Sequence, residues 1–130
     1  HLQIEGRILG EMVYTHIIPA AVKYQNSLLA NVQGLKEIYG AVYNKVAESQ
    51  LNILEKVGEH LAEIKKQTDE MTAARRRANG LSTINKRAQA YCNDVRPYFE
   101  AIREQSDKLE KLVADEVWPF TKYRELLFAK

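Results

Sequence analysis

A chain of 130 residues, 45% hydrophobic and 28% charged, is long enough for one domain with a core of moderate size, and this composition excludes a disordered segment. Six Gly and three Pro are too few for a turn-dense all-β fold. Nineteen basic residues against seventeen acidic ones leave a formal charge of +2, which gives no general electrostatic reason to expect nucleic acid or an anionic membrane as partner.

The first predicted element runs from about Leu2 to Tyr39. Its apolar positions Leu2, Leu9, Met12, Val13, Ile17, Ala20, Tyr24, Leu28, Val32, Leu35 and Ile38 recur at three- and four-residue steps, the period of one helix face. Within it, Ile4–Arg7 matches a protease recognition sequence often engineered at fusion junctions. Ile4, Ile8, Met12 and Ile17 nevertheless continue through it as one stripe, so it reads as native sequence. The absence of an initiator Met fits a piece of something longer. Pro19 lies inside the stripe; its ring clashes with the carbonyl of Thr15, which predicts a kink or break near Thr15–Ile18. Gly40 follows the last periodic residue and is placed to cap the helix end.

A second helix is predicted from about Asn44 to Ala78, with Val46, Ile53, Val57, Ile64 and Met71 as its seam. Glu59, His60 and Glu63 read as a solvated face. Arg75–Arg77 fall in the last turn, where cations favour the negative end of the helix dipole, and Asn79–Gly80 stop the helix. The third helix begins at a Ser82 or Thr83 cap. Ile84, Ala88, Tyr91, Val95, Tyr98, Ile102, Gln105, Leu109 and Leu112 then alternate in four-three spacing, a heptad seam roughly 45 Å long. Pro97 is expected to kink this helix without ending it, because the phase survives across it. Gln105 is the one polar residue in the seam and a candidate for setting register. Three amphipathic helices with short links predict an all-α fold: an antiparallel up-down-up bundle, its first and third helices kinked at proline.

The stretch DEVWPFTKYRELLF, Asp115–Phe128, holds the only Trp and two of the three Phe. Pro119 turns the chain there, because the residue before proline is pushed to extended conformations, and a short helix restarts or an extended tail follows. Residues 115–130 are therefore expected to form a docking tail within a single helical domain, 1–130. Trp118, Phe120, Tyr123 and Phe128 are its candidate docking residues, with Trp118 folding back on the bundle.

The residues give no catalytic apparatus. Metal sites in bundles use Glu-x-x-His pairs, whereas Val13 and Val57 precede His16 and His60. Cys92 stands alone without a neighbouring base; a single Cys excludes an internal disulfide and suits a reducing, cytoplasmic setting. No Gly-rich phosphate loop, zinc spacing or nucleophile elbow is present. Lys65, Lys66 and Arg75–Arg77 read as a solvated face and a helix end rather than a nucleic-acid patch, since no aromatic interleaves with them. Tyr91, Tyr98 and Phe99 read as core. The longest apolar run, Ile17–Val22, is far too short to span a bilayer.

CNDVRPYFEAIREQSDKLEKLVADEVWPFTKYRELLF (Cys92–Phe128) resembles the C-terminal end of type III glutamine synthetases. Ile17–Ile38 and Asp69–Asn79 resemble the helical stretch preceding that end. The resemblance covers nearly the whole chain, and the Trp-Pro-x-x-Lys-Tyr-Arg-Glu-Leu-Leu-Phe ending is its most specific part. It implies the C-terminal helical region of a larger enzyme that joins ammonia to glutamate using ATP and magnesium and works as a ring-shaped homo-oligomer. The metal, ATP and glutamate sites of such enzymes lie in an upstream catalytic domain. No catalytic, cofactor or metal residue is therefore carried onto this chain, and the segment alone is expected not to be an enzyme. Its implied partners are that catalytic domain and neighbouring subunits. Two other classes stand beside this one: an independent helical protein-interaction adaptor, and a nucleic-acid-binding bundle acting through Lys65, Lys66 and Arg75–Arg77.

Overall fold

The computed structural model describes residues 2–120; Tyr123 and Phe128 of the candidate tail lie outside the described residues. All of its regular structure is helical, and no strand occurs among the described residues. The helices are α1 (Leu2–Met12), α2 (Ile18–Tyr39), α3 (Tyr43–Val46), α4 (Glu48–Asn79), α5 (Ile84–Ala90) and α6 (Pro97–Leu112). They group into three long runs.

In the first run, α1 passes into α2 through a π-helical turn, Val13–Ile17. In the third, α5 passes into α6 through a second one, Tyr91–Val95. Both turns end just before a proline, and the reason is local. Proline has no N–H to give to the carbonyl four residues back, and its ring crowds that carbonyl. The N–H of Ile18 bonds the carbonyl of Val13 and that of Arg96 the carbonyl of Tyr91, each spanning five residues instead of four. Inserting one residue into the turn widens it, which relieves the clash. The helical path thus continues through Pro19 and Pro97.

Gly40 ends α2 with φ 60 and ψ −132, its N–H on the carbonyl of Lys36. Only glycine adopts that backbone without strain, and a short 3-10 turn, Gly40–Val42, then leads to α3. Thr83 caps α5: its backbone is extended, and its side-chain oxygen accepts from the N–H of Lys86 at 3.1 Å.

The core follows the heptads. Val57, Ile64, Met71 and Ala78 on α4 are at most 1% exposed, and Val95, Ile102 and Leu109 on the third run are 0% exposed. Val13, Ile17 and Ala21 complete the cluster from the first run. Side-chain neighbours fix which parts of the runs meet. Along α4, Gln50 bonds Asn31 at 2.8 Å, Asp69 accepts from Tyr14, and Met71 lies beside Gly10. Partner numbers in the first run therefore fall as those in α4 rise. The same holds with the third run: His60 pairs with Gln105 at 2.9 Å, Glu70 with Tyr98 at 3.3 Å and Asn79 with Tyr91 at 2.7 Å.

Several positions, Val46 and Ala88 of the seams among them, differ from the reading of the sequence. His60 is not part of a solvated face; its Nδ1 is hydrogen-bonded to the side-chain amide of the buried Gln105, pulled inward because a buried amide needs a partner. Ile38 and Ile84 belong to their stripes by spacing but are 77% and 76% exposed, because each sits at a run end that the neighbouring runs leave uncovered. Periodicity reports a face, not whether something covers it.

Candidate docking surface

The chain leaves α6 at Val113, whose backbone is extended (φ −82, ψ 138) while its side chain stays buried. The N–H groups of Val117 and Trp118 both reach the carbonyl of Ala114 at 3.1 Å. That turn sends the chain back along α6, and Pro119 holds it open. Trp118 consequently drops into the core, 7% exposed, in the same cluster as Ile17 and Leu109. Its indole N–H finds no hydrogen-bond partner among the described residues. Phe120 stays 39% exposed. It stands edge-to-face against Trp118, ring centroids 6.4 Å apart, and against His16 at 6.2 Å, a favoured aromatic geometry.

Phe120 closes one end of an apolar groove of about 420 Å³. Ile8, Leu9, Met12 and Ile17 form one wall, and Phe99 and Ser106 the other, with Glu5 and Arg103 on the rim. A second, more polar cavity shares Glu5, Phe99 and Arg103 and adds Arg96 and Glu100. The two together make a trench between α1 and α6, apolar at its floor and charged at its far end.

The other residues singled out by sequence are dispersed. His16 lies by Phe120, His60 is bound to Gln105, and Cys92 is an exposed free thiol. Among the described residues no group of three or more His, Cys, Asp or Glu is placed to hold a metal ion. Lys65 is engaged by Asp69 at 2.9 Å. Arg75 lies across Gly6: a Cβ there would come within 3.0 Å of its Cδ.

Sequence reasoning missed a polar cluster joining the first run to α4. Asp69 accepts from the Tyr14 hydroxyl and from Lys65. These two donors hold its carboxyl below the ordinary value of 3.8, and the same carboxylate raises Tyr14 and Lys65 above theirs. Nothing in the periodicity marks Tyr14, since it sits at the edge of the stripe. A second missed feature is the far end of the paired first run and α4. Between residues 22 and 56 only Val32 and Ala47 are buried, while Leu29, Ile38, Tyr39, Val42 and Val46 are exposed. So many large apolar side chains thus stand uncovered at one end.

The described residues form an all-helical unit with an uncovered apolar end. Residues 1–36, which include Ile4–Arg7, match the family model of the glutamine synthetase C-terminal domain. Over 99% of its length the chain is 42% identical to a glutamine synthetase of Bacteroides fragilis (strain YCH46). Over 99% it is also 27% identical to a type-3 glutamine synthetase of Dictyostelium discoideum. The first 36 residues are thus similar to the glutamine synthetase C-terminal domain, and nearly the whole chain is similar to a stretch of these two enzymes. It spans 18% of the length of each of these two relatives.

Proposed function

We propose that the chain is the C-terminal helical domain of an ATP-dependent glutamate–ammonia ligase and supports that enzyme's assembly without taking part in its chemistry. The observation that carries this is 42% identity to a glutamine synthetase along 99% of the chain. ATP and magnesium belong, on this reading, to an upstream catalytic domain. The described residues offer no carboxylate cluster for the metal, so no step of the reaction is assigned to them.

The three runs act as an antiparallel up-down-up bundle, which the opposed numbering of the side-chain pairs supports. The π turns before Pro19 and Pro97 are where its first and third helices bend. The end carrying Leu29, Ile38, Tyr39, Val42 and Val46 is the face offered to the catalytic body or to neighbouring subunits of a cytoplasmic homo-oligomer. Residues 115–130 are a docking tail, anchored by Trp118 and Phe120 and continued by Tyr123 and Phe128. No helix of the described residues is long and apolar enough to cross a membrane, and a partner in nucleic acid is not part of the proposal.

The test is an assay of the 130-residue chain with glutamate, ammonia, ATP and magnesium, alongside calorimetric titration with ATP. Neither glutamine nor a binding heat is expected. Turnover above a buffer blank would place catalysis in this segment and end the proposal.

A further inference from the structure

We propose that the cleft between the first run and α4, lined by Arg7, Glu11 and Arg75, binds an α-amino acid. Its carboxylate lies between the two guanidinium groups, and its ammonium rests on Glu11 and the hydroxyl oxygens beside it. This site stands apart from the assembly role and does not depend on the glutamine synthetase assignment.

Placement is the first argument. Arg7, Glu11 and Tyr14 recur at steps of four and three, and so do Thr68, Thr72 and Arg75, so each set shares one helix face. All six line the cleft. Opposed numbering sets the two faces against each other: a Cβ at Gly6 would stand 3.4 Å from Nε of Arg75, and Tyr14 donates to Asp69. Both guanidinium groups therefore gather at one end of the cleft. Glu11 follows Arg7 by one helical turn, roughly 6 Å along the axis.

Size is the second. The cleft measures about 270 Å³, just under the roughly 300–1,000 Å³ of sites for drug-sized ligands. It suits one molecule no larger than an amino acid.

Chemistry is the third. Among the described residues, Arg7, Glu11 and Arg75 form no ion pair, and the half-buried Arg75 also keeps Nε buried without a hydrogen-bond partner. The hydroxyl protons, by contrast, are already committed. Thr15 donates to the carbonyl of Glu11 at 2.6 Å, Thr72 to that of Thr68 at 3.0 Å, and Tyr14 to Asp69. Their oxygens are left to accept. The cleft thus offers guanidinium donors at one end and acceptors, Glu11 among them, beyond. Guanidinium matches a planar carboxylate with two parallel bonds, and a carboxylate with hydroxyl oxygens suits an ammonium, which only donates. A bare oxyanion would meet like charge at Glu11, and a bare amine would meet two arginines. A small molecule carrying both signs satisfies every group.

The experiment titrates the isotope-labelled 130-residue chain with L-glutamate, L-glutamine, L-leucine and L-arginine in turn, reading amide shifts by nuclear magnetic resonance. At least one of them is expected to give a saturable shift centred on residues 7–15 and 68–75. The N-acetyl derivative of that amino acid, which lacks the ammonium, and inorganic phosphate should each bind at least about tenfold more weakly. Arg7→Gln should weaken the amino acid by a similar factor. Glu11→Gln should weaken the amino acid and strengthen phosphate. Both residues are exposed, so the melting temperature without ligand should hold in each variant. No saturable shift from any of the four, or shifts centred elsewhere, would overturn the proposal. Phosphate or the N-acetyl derivative binding as tightly as the amino acid would reduce the cleft to an anion site and overturn the assignment, as would binding that neither substitution changes. None of these readouts uses glutamine synthesis, so such a failure leaves the proposed assembly role where it stands.

Discussion

Trp118 and Phe120 stand two positions apart in the chain and bury very different amounts of themselves, and the difference is measurable. Trp118 is 7% exposed within the core cluster, so Trp118→Ala should destabilise the chain by about 3–5 kcal/mol in denaturant titration. Phe120→Ala, at a half-exposed ring, should cost roughly half of that or less. Trp118→Phe is the sharper probe. It gives up apolar area but also removes a buried N–H without a partner among the described residues, a group worth about 1–3 kcal/mol of penalty. A net change within about 1 kcal/mol is expected, and a loss as large as that of Trp118→Ala would mean the N–H is bonded. That Trp118 folds back on the bundle was legible in the sequence; that Phe120 stays 39% exposed was not, because that depends on where the Ala114 turn aims the chain.

Asp69 supplies a pH signature at the same scale. Its folded carboxyl lies below 3.8 because Tyr14 and Lys65 donate to it. The carboxylate therefore contributes stability that is fully present above its unfolded value and fades as pH falls through the folded one. Tyr14 is raised above 10.0, first by its bond to Asp69. Its share is complete below 10.0 and disappears as pH rises through the folded value. Asp69→Asn should lower the melting temperature slightly at pH 7, as expected for surface-exposed partners, and the gap from the parent chain should close near pH 2. A gap that widens in acid would contradict this account.

Among the elements, two glycines separate backbone need from backbone tolerance. Gly40 has φ 60 and ψ −132, so Gly40→Ala should cost more than about 1 kcal/mol. Gly34 lies inside α2 with nothing within 4 Å of a Cβ added there, so Gly34→Ala should stabilise by about 0.5–1 kcal/mol. Equal effects of the two in thermal unfolding would refute the assignment of the helix end. The heptads of α4 and α6 were readable in advance because each is a run of one side-chain class at one period. The π turns were not: the sequence shows the prolines, but whether a helix breaks, bends or absorbs a residue depends on the tertiary packing of Val13, Ile17, Tyr91 and Val95, which are all buried. Pro97→Ala should leave Asp94–Tyr98 helical by backbone chemical shifts, since the N–H of Arg96 is already bonded to Tyr91. A non-helical stretch there would show that proline, not packing, maintains the path.

For the whole molecule, the similarity to glutamine synthetases was legible through resemblance rather than through periodicity. What periodicity left hidden was the uncovered end: Leu29 and Ile38 fit helical patterns as well as any core residue, and only the arrangement of the three runs leaves Ile38 77% exposed. The proposed role assigns that surface to an assembly, which is why an assembly measurement bears on it most directly. Two forms of the parent enzyme should be compared by light scattering and by glutamine synthesis: the full chain, and the chain with Leu29, Ile38 and Val42 each replaced by Glu. The substituted enzyme is expected to lose oligomer mass, with glutamine synthesis falling in step as subunits separate. Unchanged mass and unchanged synthesis would contradict a role for this domain in holding the enzyme together.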